Sequence, residues 1–201
     1  ERDKKLGWSK TEVYALDLHS GKTIWHYRNE NTGLNRYVAK AGVVVLDHEY
    51  DYDEGRKLVV LDASDGNVKW ELTYDHDDDY DEDPEGIFVY HDVVIHLTKS
   101  RFGGHVRAYD KNTGTLKWEK SFDYVQWDDF LYWSKAHLFE STLYIGAGSE
   151  LMAFHPSTGE LKWKIYSTKG ISLEAAPYIF KEQGLMIVTA KEGIVLAFQY
   201  E

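Results

Sequence analysis

Four eleven-residue segments, 15–25, 60–70, 108–118 and 153–163, align without a gap. Each carries Asp or His at its third place (Asp17, Asp62, Asp110, His155). Gly follows four positions later (Gly21, Gly66, Gly114, Gly159) and Trp four after that (Trp25, Trp70, Trp118, Trp163). The tryptophans stand 45, 48 and 45 residues apart, and a fifth copy begins at Ala197-Phe198-Gln199. Self-similarity at this period restricts the chain to stacked repeats of one small supersecondary unit, each burying its neighbour.

The unit can be read from its chemistry. Val13-Tyr14-Ala15-Leu16 and its counterparts are strand-forming. The Asp can accept hydrogen bonds from backbone amides two or three residues on. The Gly supplies the positive φ of a tight reversal, and Thr23-Ile24-Trp25-His26-Tyr27 reads as the returning strand. Two further strand candidates lie between successive motifs: 36–41 with 43–47, 87–90 with 93–98, 132–139 with 142–147, and 175–180 with 185–190. No stretch has the period of a long amphipathic helix. Four antiparallel strands per unit define the blade of a β-propeller. The expected fold is all-β, a single region over 1–201. It contains part of a blade at 9–30, whole blades at 36–74, 87–122 and 130–167, and a partial blade at 173–201.

Composition narrows the chemistry. There is no Cys, which excludes disulfides, thiolate metal sites and thiol catalysis. No apolar run approaches the roughly 20 residues that span a bilayer, so membrane insertion is not expected. The net charge is −11, and eight carboxylates fall within eleven positions, from Asp75 to Glu85. An acidic chain without a basic stripe is a poor nucleic-acid binder, so no nucleic-acid partner is expected.

The pattern Ala-x-Asp-x-x-Thr-Gly-x-x-x-Trp resembles the tryptophan-docking motif of the pyrroloquinoline quinone (PQQ) repeat family. The resemblance covers nearly the whole chain. It departs at Ser20 and Asp65 for Thr, Val60 for Ala and His155 for Asp. It implies that Trp25, Trp70, Trp118 and Trp163 are structural and pack on a neighbouring blade near the Gly turn. Propellers of that family usually have seven or eight blades, so the chain is expected to be a partial, quinoprotein-like propeller of about four; a small four-blade ring with a redundant strand is the other reading. The family also implies a periplasmic or extracellular setting.

In a blade, the first-to-second and third-to-fourth turns share one face, and the remaining loops share the other. The four Gly turns make one face uniform, so binding residues are expected opposite, on 48–54, 74–86, 99–105 and 123–129. The candidate binding face is Lys99, Arg101, Tyr124, Trp127, Asp128 and Asp129. Asp75, Asp77, Asp79, Asp81 and Asp83 alternate, and Asp51 and Asp53 come from the loop beside them. A solvated loop, or a salt-bridge patch with Lys99 and Arg101, is the ordinary reading of such a run. The sharper expectation is weak Ca²⁺ binding, since Ca²⁺ takes 6–8 oxygen ligands. His48, His76, His91 and His96 are read as surface histidines, because a spacing of five is not a ligand pattern. Gly103-Gly104 are read as turn glycines. No Gly-x-Ser-x-Gly elbow occurs.

The expected role is a non-enzymatic scaffold that presents loops to a protein or polymer partner, with oligomeric state left open. The alternatives are a PQQ- and Ca²⁺-dependent alcohol or sugar dehydrogenase and an ectodomain module of a sensor or adhesin. PQQ itself is not expected. The vicinal disulfide that covers it in many family enzymes cannot form without Cys.

Overall fold

The computed structural model describes residues 10–30, 32–49, 56–74, 83–100, 103–123, 136–167, 173, 177–190 and 193–199. Among them are seventeen strands and no α-helix; the one helical turn is a 3-10 turn at Lys181–Gln183. The strands form five antiparallel sheets in strict chain order. A first, partial blade holds β1 (Thr11–Leu16) and β2 (Thr23–Asn29). The second holds β3 (Gly33–Lys40), β4 (Val43–Glu49), β5 (Arg56–Asp62) and β6 (Val68–Tyr74). The third holds β7 (Asp83–Tyr90), β8 (Val93–Ser100), β9 (Gly103–Asp110) and β10 (Leu116–Asp123). The fourth holds β11 (His137–Phe139), β12 (Thr142–Ala147), β13 (Glu150–Phe154) and β14 (Leu161–Tyr166). The last three, β15 (Tyr178–Phe180), β16 (Leu185–Thr189) and β17 (Val195–Gln199), form a partial fifth blade. Two strands, three whole blades and three strands is the count the repeat implies.

Two first strands begin earlier than the sequence pattern suggests, and two, β11 at His137 and β15 at Tyr178, begin later than the expected 132 and 175. β3 starts at Gly33 rather than 36, and β7 at Asp83 rather than 87, because each carries a register shift, between Leu34 and Arg36 and between Pro84 and Gly86. A bulge breaks the two-residue alternation by which a strand is recognised. Gly103 and Gly104 lie inside β9, paired with Ser100 and Lys99, and are not turn residues.

In the second and third blades the two turns on one face share a hydrogen bond. Ala63 N donates to Gly42 O at 3.0 Å in the second blade, and Lys111 N to Asp92 O at 2.8 Å in the third. The turn glycines Gly21, Gly66, Gly114 and Gly159 have φ of 68, 76, 73 and 68°. Each N–H donates to the carbonyl of the residue four before it, Asp17, Asp62, Asp110 or His155.

The core lies between blades. Second and third strands are covered on both faces, so they read as continuous apolar runs: Val43 to Leu46, Leu58 to Leu61, Val93 to Ile95. Val93, Ile95, Leu97, Val106 and Ala108 of the third blade meet Leu143, Ile145, Met152 and Phe154 of the fourth. Burial on both faces also corrects the reading of two histidines. His48 and His96 sit in β4 and β8 and are fully buried, whereas His91 is exposed in a turn. His76 lies outside the described residues.

Candidate functional site

The motif residues build a joint repeated at three seams. Trp25 Nε1 donates to Ala63 O at 2.9 Å, Trp70 Nε1 to Lys111 O at 2.9 Å, and Trp118 Nε1 to Pro156 O at 3.0 Å. Each acceptor is the residue after the Asp or His of the next blade's turn. Each indole also covers that turn's glycine. A Cβ at Gly66, Gly114 or Gly159 would stand 2.6, 2.8 and 2.6 Å from Trp25, Trp70 and Trp118. Only Gly leaves room for the ring, so Gly and Trp recur together although they act in adjacent blades. Trp70 is 8% exposed; Trp25, Trp118 and Trp163 are half-buried. Trp163 packs at a tilt on Tyr144, centroids 5.9 Å apart, and Gly21 has nothing described within 4 Å of a Cβ.

The turn carboxylates are held ionised. Asp17 accepts from Ser20 Oγ and N at 2.7 Å, and Ser20 is the main cause of its lowered pKa. Ser64, through its hydroxyl and N–H, and then Lys69 bring Asp62 down to about 2. Asp110 is lowered first by the Asn112 N–H. The lysine just before each later Trp completes the joint. Lys69 reaches Asp62 at 3.2 Å and Lys117 reaches Asp110 at 3.5 Å, with a second bond to Asp92. In the fourth blade, where His155 replaces the Asp, Lys162 turns to Ser141 O and Thr142 Oγ1 at 2.7 Å. This lysine lies outside the Asp-Gly-Trp motif, although Lys-Trp recurs at 69, 117 and 162.

The loop face is described only at its edges. Arg101, Tyr124, Trp127, Asp128, Asp129, Asp51, Asp53, Asp75, Asp77, Asp79 and Asp81 lie outside the described residues. Asp83 opens β7, and Lys99 is in β8 rather than in a loop. Lys99 Nζ lies 2.6 Å from Glu85, whose other oxygen is 3.8 Å from Arg36 of the preceding blade. That pairing is of the salt-bridge kind expected between the acidic run and Lys99. Among the described residues no three His, Cys, Asp or Glu side chains converge as a cation site requires.

Two polar clusters were invisible in the sequence. At the outer edge of the third blade, Ser121 Oγ lies 3.1 Å from His105 Nδ1, and Glu119 Oε1 lies 3.4 Å from the same nitrogen. Arg107 Nε donates to that Glu119 oxygen at 2.8 Å. A nucleophile relay needs the serine and the carboxylate on opposite ring nitrogens. Here they share one, so the cluster ties β9 to β10. The second cluster is buried between the second and third blades. Tyr74 Oη donates to Asp47 Oδ1 at 2.5 Å, and His96 Nε2 meets Asp47 Oδ2 at 2.9 Å.

Four-stranded blades joined Trp to Gly define a quinoprotein-type β-propeller. The chain belongs to the family described as outer membrane protein assembly factor BamB, whose model it matches over residues 8–86 and 103–201. Quinohemoprotein alcohol dehydrogenase ADH IIB of Pseudomonas putida is 27% identical over 227 aligned positions, which cover 83% of this chain and 32% of that protein. The structure of BamB from Moraxella catarrhalis superposes with a TM-score of 0.63 at 19% identity, over 89% of this chain and 50% of that one. A europium-containing methanol dehydrogenase superposes at 0.66 and 16% identity, over 94% of this chain and 45% of its own. The chain thus spans about a third of this curated relative and half of the BamB structure. No helix among the described residues is long and apolar enough to cross a membrane.

Proposed function

We propose that this propeller is a binding scaffold that presents its loop face to a protein partner. The observation that carries the reading is the match to the assembly-factor family model over residues 8–86 and 103–201. The described polar side chains support it. Asp17, Asp62, Asp110, Lys69, Lys117 and Lys162 work in turns and seams, and Ser121, His105 and Glu119 lack relay geometry. Uniform joints on one face leave the opposite loops as the variable surface, where a rigid scaffold carries recognition. Cross-linking of the purified chain in an extract tests this. A saturable partner lost on exchanging Tyr124, Trp127, Asp128 and Asp129 for Ser is expected. Equal capture by parent and variant refutes the loop-face assignment.

A second reading, a PQQ- and Ca²⁺-dependent dehydrogenase, rests on the 27% identity to ADH IIB. Among the described residues no three His, Cys, Asp or Glu side chains converge as a cation's ligand set. No step is derived through that cofactor. Quinone absorbance that stays with the protein through gel filtration, after addition of PQQ and Ca²⁺, together with dye reduction by an alcohol, is the result that favours the enzyme.

A further inference from the structure

The buried Asp47, Tyr74 and His96 have counterparts one seam along. The β3–β4 and β7–β8 pairings begin Lys40↔Val43 and Tyr90↔Val93, and β11–β12 begins Phe139↔Thr142. Counting from these, Asp47 of the second blade corresponds to Leu97 of the third. His96 of the third corresponds to Ile145 of the fourth. Tyr74 and Phe122 each stand four residues after the docking tryptophan. Leu97 and Ile145 are fully buried in one apolar cluster, with Phe122 packed against it. The same three places are therefore Asp, His and Tyr at one seam and Leu, Ile and Phe at the next. All three change together.

The apolar set shows that a seam can close with apolar residues at all three places. A buried polar or ionic set is at best weakly stabilising relative to an apolar replacement. Its distinctive property is what happens when it is mismatched. If the second blade docked on the fourth, Asp47 would face Ile145. If a third blade docked on another third blade, Leu97 would face His96. Each error leaves an ionisable group buried without its partner, which is strongly unfavourable. Only second on third satisfies both Asp47 oxygens. Repeat arrays need such discrimination, because near-identical faces dock wrongly within a chain and between chains.

We propose that Asp47, Tyr74 and His96 act as an address that dictates which blade docks on which. A charged pair also crosses this seam: Arg36 of the second blade meets Glu85 of the third, which Lys99 shares. His96 Nδ1 has no hydrogen-bond partner among the described residues, so the ring is held through Nε2 and its edge-on contact with Tyr74, centroids 4.7 Å apart.

The test uses the 201-residue chain and two variants. One carries Asp47→Leu, Tyr74→Phe and His96→Ile, the set of the next seam. The other carries His96→Ile alone. Urea midpoints are measured. Each protein is then refolded from urea at a series of concentrations and its species counted by gel filtration with light scattering. The triple variant is expected to keep the parent's midpoint or exceed it. Its share of interlocked oligomers should rise with concentration to several times the parent's. His96→Ile alone, which strands Asp47, is expected to lower the midpoint. The proposal is overturned by a triple variant that does not fold, or that loses as much midpoint as the single variant. It is equally overturned by one that refolds to the parent's species in the parent's yield at every concentration, or by a single variant with an unchanged midpoint.

Discussion

Trp118 of the third blade covers Gly159 of the fourth so closely that a Cβ on that glycine would stand 2.6 Å from the indole Cδ2. The same ring donates Nε1–H to Pro156 O at 3.0 Å. Packing and hydrogen bond can be separated by substitution. Trp118→Phe loses the donor and is expected to cost about 1 kcal/mol or somewhat more. Trp118→Ala also empties the slot and is expected to cost about 3–5 kcal/mol. Urea unfolding followed by tryptophan fluorescence and circular dichroism gives both values. Equal losses would place the whole effect in the hydrogen bond.

Acid should weaken the fold in two steps. His48 is buried and its pKa is lowered chiefly by that burial. The unfolded chain therefore binds its proton first, and stability falls as pH drops below about 6.5. Asp17, Asp62 and Asp110 lie below their ordinary values, Asp62 at about 2. Their contribution is complete above the unfolded value of about 4 and is lost as pH falls toward the folded one. The urea midpoint should decline between pH 7 and 5 and again below 4. His48→Phe should flatten the first decline and Asp62→Asn part of the second. Unchanged slopes in both variants would contradict the assignment.

The fourth blade's turn is incomplete. His155 stands where the other turns have Asp, and its buried Nδ1 has no hydrogen-bond partner among the described residues. In the third blade, Asp110 at this place accepts from Asn112 N and Thr113 N at 2.9 and 3.0 Å. His155→Asp should restore these bonds and offer Lys162 a carboxylate. A gain on the order of 1 kcal/mol is expected. Thermal unfolding at pH 7 checks it, and a lowered midpoint would show that the His155 ring is itself part of the seam.

The blade count and the turn glycines were legible because the motif repeats at a fixed spacing and each residue type has one mechanical use. The seam partners were less so. Spacing alone does not state that Trp118 meets Gly159 rather than its own Gly114; the family resemblance implied a neighbouring blade, and the structure supplies the partner. The starts of β3 and β7 were missed because bulges at Leu34/Arg36 and Pro84/Gly86 hide the alternation. His96 was read as a surface residue for a related reason. A strand covered on both faces loses its polar-out register, so a histidine among Val93, Val94, Ile95 and Leu97 has nowhere exposed to point. Asp47 and His96 lie a blade apart, and only the docking of two sheets brings them to 2.9 Å.

Gly114→Ala against Gly21→Ala is the most direct test of Trp-on-Gly docking. The two glycines share a left-handed backbone, φ 73 and 68°, and the same hairpin place. They differ in what stands over them: Trp70 at 2.8 Å for Gly114, and nothing described within 4 Å for Gly21. Both variants bear the left-handed penalty of about 1–2 kcal/mol. Gly114→Ala must also displace an indole, at a further cost of about 1–3 kcal/mol. Urea midpoints measured side by side are expected to fall clearly further for Gly114→Ala. Equal losses would contradict inter-blade docking of Trp on Gly as what holds these blades together.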